Sequence, residues 1–180
     1  MPKMTQEDIL GHPDYQHLFL YKLLIHGTIP GVDIGQAGRQ LDSQCLGFTT
    51  PDKTFTPILF RIKGMPGHTS GYPEYSHVTP MQFVETTDGK VVNFVERWGD
   101  LLFDPVTGQL KLKKEYMLDV TLQMLDGNKN PTQSWLLRGC FPQNLPGAGM
   151  SGEANDVYRP DFNLNWLYYT HKKGGSATGG

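Results

Sequence analysis

The chain has 180 residues and a mass of 20.2 kDa, a length that predicts one domain, because hydrophobic cores divide only beyond roughly 250 residues. Lys+Arg 16 against Asp+Glu 18 leaves a formal net charge of -2, which excludes a global basic field that would gather nucleic acid or anionic lipid. Gly 21 and Pro 13 mark a loop-rich chain, and 11% aromatic residues supply the large side chains that a disordered chain lacks.

Residues 1–16 are expected to form an N-terminal arm. Their sequence has no apolar stretch of signal-peptide type, and no run of about 18 apolar residues occurs anywhere, which predicts a soluble chain without its own export signal or membrane binding. From residue 17 to 170 the commonest pattern is hydrophobic alternation with period two, the mark of strands that bury one face. Leu18 to Ile25 is apolar on both faces and reads as a sandwiched strand. His26 to Gln40 is rich in Gly and holds Pro30, so residues 26–40 are expected to be a long loop without a regular element. A strand is expected at Leu41 to Phe48. Another is expected at Pro57 to Lys63, where Ile58, Phe60 and Ile62 oppose Leu59, Arg61 and Lys63 before Gly64 stops it. Residues 64–77 carry Gly, Pro and hydroxyl side chains and are expected to be a second long, exposed excursion.

Val78 to Glu85 reads as a strand in which Pro80, unable to donate, demands a sheet edge or a bulge. Lys90 to Trp98 then changes period. Val91, Val95 and Trp98 fall at i, i+4 and i+7, predicting the one helix, with Asp88 as its N-cap and Gly99 as its stop. Glu115 to Leu125 alternates Leu118, Val120, Leu122 and Met124 against Asp119, Thr121 and Gln123. The turn formers of Asp126 to Pro131 and the strand Thr132 to Phe141 complete a hairpin. Asp161 to Tyr169 is the last strand, and residues 171–180 are expected to be a flexible Gly-rich tail.

Tests for chemistry are negative. Ser70 sits one place late for the G-x-S-x-G turn of a serine nucleophile. His68, Glu74 and His77 lack the fixed spacing of metal ligands. Gly31, Gly35 and Gly38 do not form a dinucleotide fingerprint. Lys111, Lys113 and Lys114 make too small a basic cluster for a nucleic-acid footprint, and Trp98, Trp135 and Trp166 alternate as packing residues do. No catalytic site, cofactor or metal is expected. Cys45 and Cys140 are either two reduced thiols or a disulfide, within or between chains.

Glu115 to Asn144, with Trp135, Leu137, Arg138, Gly139, Phe141 and Pro142 as the returning strand, followed by the aromatic-ended strand Asp161 to Tyr169, resembles the tail tube proteins of contractile-tailed bacteriophages. Leu18 to Ile25, Gln44 to Pro51 and Val78 to Trp98 extend the resemblance upstream. It implies a mainly β, antiparallel sandwich or barrel with one flanking helix, assembling as hexameric rings whose inner strands join into a continuous barrel. Such rings stack into a tube in the virion, assembled in the host cytoplasm. The implied partners are the chain itself, the tail sheath, baseplate and terminator proteins, a tape measure protein in the lumen, and DNA passing through without specific binding. Residues 26–40 and 64–77 would be the excursions that reach other subunits, with Pro30, Gly31, Val32, Pro66, Tyr72 and Tyr75 as candidate contacts, and Cys45 and Cys140 as a candidate bond between chains. Other readings are a baseplate or terminator ring, a tube of a secretion or injection machine, or a monomeric ligand-binding β-barrel.

Overall fold

A computed structural model describes residues 18–104, 106–147 and 156–174; the expected N-terminal arm and most of the expected tail lie outside them. Among the described residues, nine strands run in the order β1 (Tyr21–His26), β2 (Cys45–Phe48), β3 (Lys53–Ile62), β4 (Met65–Tyr75), β5 (Val78–Phe83), β6 (Leu118–Leu125), β7 (Pro131–Pro142), β8 (Asp161–Asn165) and β9 (Tyr168–Lys173). Helix α1 (Ile34–Gln44) precedes β2, while α2 (Lys90–Asp100) and the single turn α3 (Lys113–Tyr116) lie between β5 and β6. The expected antiparallel, mainly β architecture is present.

Four strands, β1-β6-β7-β9, form one wall, and the end of β7 continues through β8 and β5 to β2 as a second. The turn from one wall into the other falls at Gly139. Its φ of 66° suits glycine, and a Cβ there would strike the Leu167 side chain. Leu23, Leu118, Val120, Leu122 and Leu137 share one buried core with the Val91, Phe94, Val95 and Trp98 stripe of α2. Trp98 is 1% exposed and donates its indole N–H to the Tyr116 carbonyl at 2.7 Å. Phe83 stacks on Phe162, with ring centres 5.4 Å apart.

Several expectations change. Residues 26–40 are not wholly a loop, because Asp33 caps α1 by accepting from the Gly35 and Gln36 N–H groups, and packing of Ile34, Ala37 and Leu41 offsets the glycines that argue against a helix. The strand expected from Leu41 begins only at Cys45. Residues 64–77 are exposed as expected but regular: Met65–Tyr75 pairs with Lys53–Ile62 from Ile62↔Met65 to Lys53↔Tyr75. Asp88 does not cap α2. Gly89 holds that position, and the Glu85 carboxylate accepts the Val91 and Val92 N–H groups at 3.3 and 2.8 Å. Gly99 does not end the helix, which runs to Asp100. β6 starts at Leu118, after a helical turn at Glu115 and Tyr116.

The last strand is two strands broken at Trp166 and Leu167, and its second half takes in residues 171–173 of the expected tail. β1 is not sandwiched, since Leu18 and Phe19 stay exposed and only Leu23 of the strand is fully buried. Pro80 sits inside the sheet, between β8 and β2, where β2 stops. Thr49 N–H still donates to the Pro80 carbonyl at 3.1 Å, and no return donor is required there.

Candidate assembly surfaces

Three regions stand at the surface of the described residues: two sheet edges, one hairpin, and the outer face of the four-stranded wall, in which Thr121, Gln123 and Ser134 are themselves buried. The first is the pair of open edges on the four-stranded wall. β1 pairs only with β6 and β9 only with β7, so each presents one side of its backbone outward. Along β1 the helix α1 leaves a groove walled by Ile34, Gly35, Gly38 and Asp42, and the missing side chains at the two glycines give it room. One edge donor is already used: Leu23 N–H gives its hydrogen to the Asp42 carboxylate at 2.6 Å.

The second surface is the β3–β4 hairpin. Lys63 (φ 50°) and Gly64 (φ 83°) make its two-residue turn, the left-handed geometry that matches strand twist. At Gly71 a Cβ would collide with the Thr56 carbonyl, beside the register shift between Phe55 and Pro57. Every residue of β3 is exposed, including Leu59 at 70%, and Tyr72 on β4 is 90% exposed. At the root, Tyr75 contacts Trp166, Tyr169 and His77 at ring distances of 6.3, 5.8 and 5.8 Å, and Trp166 donates its indole N–H to Thr79 Oγ1 at 3.1 Å. That aromatic knot fixes where the ribbon leaves the body.

The third surface is the outer face of the four-stranded wall. The register sets its side chains in rows: Lys22, Gln123, Ser134 and Lys172; then Leu24, Thr121, Leu136 and Thr170; at the register shift of β6 and β7, His26 opposes Asp119 and Arg138 opposes Tyr168. Arg138 pairs with Asp119 at 2.7 Å. His26 Nε2 lies 2.9 Å from Thr121 Oγ1, and Gln123 donates to Ser134 at 3.4 Å.

The six candidate contacts divide among these places. Pro66 and Tyr72 stand on the exposed hairpin, and Tyr75 is in its root. Pro30, Gly31 and Val32 lie before α1, where Arg97 donates to the Gly31 carbonyl at 3.3 Å and Val32 packs half-buried on the core. The structure therefore does not bring the two groups together as one site. Sequence reasoning missed the polar outer face, whose signal was the alternation of Asp119, Thr121 and Gln123 opposite the core residues. It also missed the groove at Gly35 and Gly38. Cys45 and Cys140 are both free and buried, and burial pushes the Cys45 thiol up to about 11 and raises Cys140 further. A bond between chains needs a thiol at the surface, which neither offers.

The tryptophans serve packing, and no group of three or more His, Cys, Asp or Glu side chains among the described residues is arranged to hold a metal ion. No described helix is long and apolar enough to cross a membrane.

No family model matches the sequence. Over 91 residues, 50% of this chain, it is 31% identical to the tail tube protein of Serratia phage KSP90, and the chain spans about half the length of that curated relative. Solved structures match over nearly all of the chain. One is a chain of the tube-terminating cap of the anti-feeding prophage (12% identity, 94% of this chain and 98% of that one, TM-score 0.62). Another is a chain of the sheath–tube complex of the extracellular contractile injection system PVC (11% identity, 96% and 99%, TM-score 0.57). A third is a chain of that system's sheath/tube terminator (11% identity, 91% and 99%, TM-score 0.63). The fold is that of subunits of contractile machines. The resemblance to a tail tube protein, read from the returning strand and its neighbours, holds in sequence and in fold.

Proposed function

We propose that the chain is a structural subunit of the inner tail tube of a contractile phage tail, closing into hexameric rings that stack into a conduit for genome ejection. The observation that carries this reading is the four-stranded wall. Its strands alternate in direction from β1 through β6 and β7 to β9, so β9 of one copy and β1 of the next meet antiparallel, and a head-to-tail repeat closes without a break in the pattern. The second wall and both long helices stand on the core side of this sheet. Closure therefore puts that bulk outside and the polar face inside, around the lumen. The groove between β1 and α1 would receive the incoming strand, and the β3–β4 ribbon, about 30 Å long, would lie on a neighbouring copy and cover its apolar side chains. Interfaces of this obligate kind bury about 2,000 Å² or more.

Sheath, baseplate and terminator proteins would then be partners of the outer surface, with a tape measure protein and DNA in the lumen, and the virion tail as the location. Electron microscopy of the purified protein with its native nucleating components tests the reading. Tubes of stacked rings are expected; monodisperse 20.2 kDa monomers at high concentration would overturn it. A terminator or cap ring is the second reading, because the matched solved structures include cap and terminator chains beside the sheath–tube complex. Copy number separates the two. A tube subunit is present many times per particle, whereas one terminal ring supplies a single ring's worth.

A further inference from the structure

The backbone of β1 faces two ways. The Leu20 carbonyl accepts from the Leu125 N–H at 2.8 Å, and residue pairs along an antiparallel ladder alternate between bonded and unbonded. With the register Lys22↔Gln123, Leu24↔Thr121 and His26↔Asp119, those three residues bond to β6. Tyr21, Leu23 and Ile25 turn their N–H and C=O groups to the open side. Leu23 is the middle of the three, and its N–H donates to Asp42 Oδ1 at 2.6 Å. Asp42 stands in the last turn of α1 beside Leu41, whose burial in the core holds the helix against the strand. No salt bridge among the described residues ties the carboxylate elsewhere, and a bond to an ionised acceptor is roughly twice as strong as a neutral one. A strand arriving at this edge must place a carbonyl oxygen where the Asp42 oxygen now lies. We propose that Asp42 guards the edge: its carboxylate occupies the central donor of β1 in the free chain and must let go before a second copy of this chain can pair there. The guard's part in ring growth rests on the ring reading above. Each free copy carries two open edges, β1 and β9, and unguarded edges pair indiscriminately. A growing ring overcomes the bar with its whole set of contacts, whereas a chance encounter of two copies does not. The groove beside β1, roomy at Gly35 and Gly38, lets the carboxylate turn aside into water as the strand arrives.

The test follows the purified full chain by light scattering and sedimentation, without nucleating components. Asp42→Ala should assemble at about a tenth of the concentration that wild type requires, with rings or tubes in electron micrographs. Asp42→Asn, whose neutral amide oxygen accepts more weakly, should fall between. Asp88→Ala removes an exposed carboxylate on the turn before α2 and should match wild type, which separates the guard from lost charge alone. Asp42→Ala with Ile25→Pro should return to the monomer: the Ile25 N–H faces the open side, so proline there takes no bond from β6 and blocks the incoming strand. Equal thresholds for wild type and both Asp42 variants overturn the proposal. So do amorphous aggregates of both variants with lowered urea midpoints, which would make Asp42 a support of the fold, and assembly of the Asp42/Ile25 variant, which would place the contact on another surface. If no sample forms rings or tubes even with the native nucleating components, the ring reading fails instead. Dimers of free Asp42→Ala that Ile25→Pro abolishes then uphold the guard, and monomers of Asp42→Ala overturn it.

Discussion

The two-walled body and the β3–β4 hairpin use the same kind of sequence for opposite ends. β6 and β3 both alternate apolar side chains with a period of two. In β6, Leu118, Val120 and Leu122 are buried in the core they share with α2, whereas in β3 Ile58, Phe60 and Ile62 stand in water. Alternation shows that a strand has an apolar face. It does not show which chain covers that face. A lone two-stranded ribbon is marginal in water, so the hairpin borrows its order from the aromatic knot at Tyr75 and, on the tube reading, from a second copy. The body needs no such help.

Removing the core's largest contribution should break the body first. Trp98→Ala empties a fully buried site and strands the Tyr116 carbonyl that its indole N–H now satisfies. A loss of about 3–5 kcal/mol is expected, read as a lower urea midpoint of the unassembled chain. A loss below about 1 kcal/mol would mean that α2 does not organise the space between the walls.

A smaller and purely local effect is expected at Gly71. A Cβ there meets the Thr56 carbonyl across the ribbon, so Gly71→Ala should displace one strand of the hairpin at a cost of about 1–3 kcal/mol to the ribbon alone. Amide exchange should quicken along β3 and β4 while the protection of β6 and β7 stays as in wild type. Equal loss of protection in both regions would show the hairpin folding as one unit with the body, against the separation drawn above.

The same contrast explains what the sequence made legible. The β6–β7 hairpin, the packing stripe of α2 and the interior tryptophans could be read directly, because each is a local pattern whose burial is satisfied within the chain. Helix α1 could not, since Gly35 and Gly38 cost helix propensity and only the Asp33 cap and the tertiary packing of Leu41 recover it. Residues 64–77 read as a loop because Pro66, Pro73 and three glycines outweigh alternation; yet the ribbon is exposed on both sides, where proline and glycine disturb no neighbouring strand. The side chain that caps α2 is hidden for a similar reason: it is Glu85, three residues before the expected Asp88. Glu85 reaches the helix from outside the local window in which a capping side chain is sought. Of the candidate contacts, Pro66 and Tyr72 follow from loop-like composition and lie on the exposed hairpin, whereas the face carrying Lys22 and Lys172 exists only through the register of four strands distant in sequence.

On the free chain, the hairpin's apolar surface should matter hardly at all. Leu59→Ser with Tyr72→Ser removes two exposed side chains, so the urea midpoint should move by no more than about 0.5 kcal/mol. Tube growth measured by light scattering should nevertheless require about tenfold more protein. Unchanged growth would leave the exposed apolar ribbon without a role in assembly, and an unfolded variant would place these residues in the body's core.

The smallest effect lies in the two turns and separates them by pH. The β3–β4 turn rests on the backbone conformations of Lys63 and Gly64, with φ angles of 50° and 83°, and has no titrating cap. The β6–β7 turn rests on Asp126, whose carboxylate accepts the Asn130 and Asn128 N–H groups at 2.7 and 2.9 Å. The Asn130 backbone bond, opposed by slight desolvation and aided by the Asn130 side chain and Asn128, holds the Asp126 carboxyl below its usual value. A carboxyl lowered in the folded state contributes stability that is fully present above the unfolded value of about 3.9 and is lost as pH falls through the folded value. Acidification should therefore shift the Asn128 and Asn130 amide resonances with a midpoint below that of a free aspartate, while the Lys63 and Gly64 amides stay in place. In Asp126→Asn the neutral side chain abolishes the titration and leaves the turn slightly looser at neutral pH. An Asn130 amide that titrates with the midpoint of an unperturbed carboxyl would mean that the turn is held by its backbone alone, as the hairpin's is.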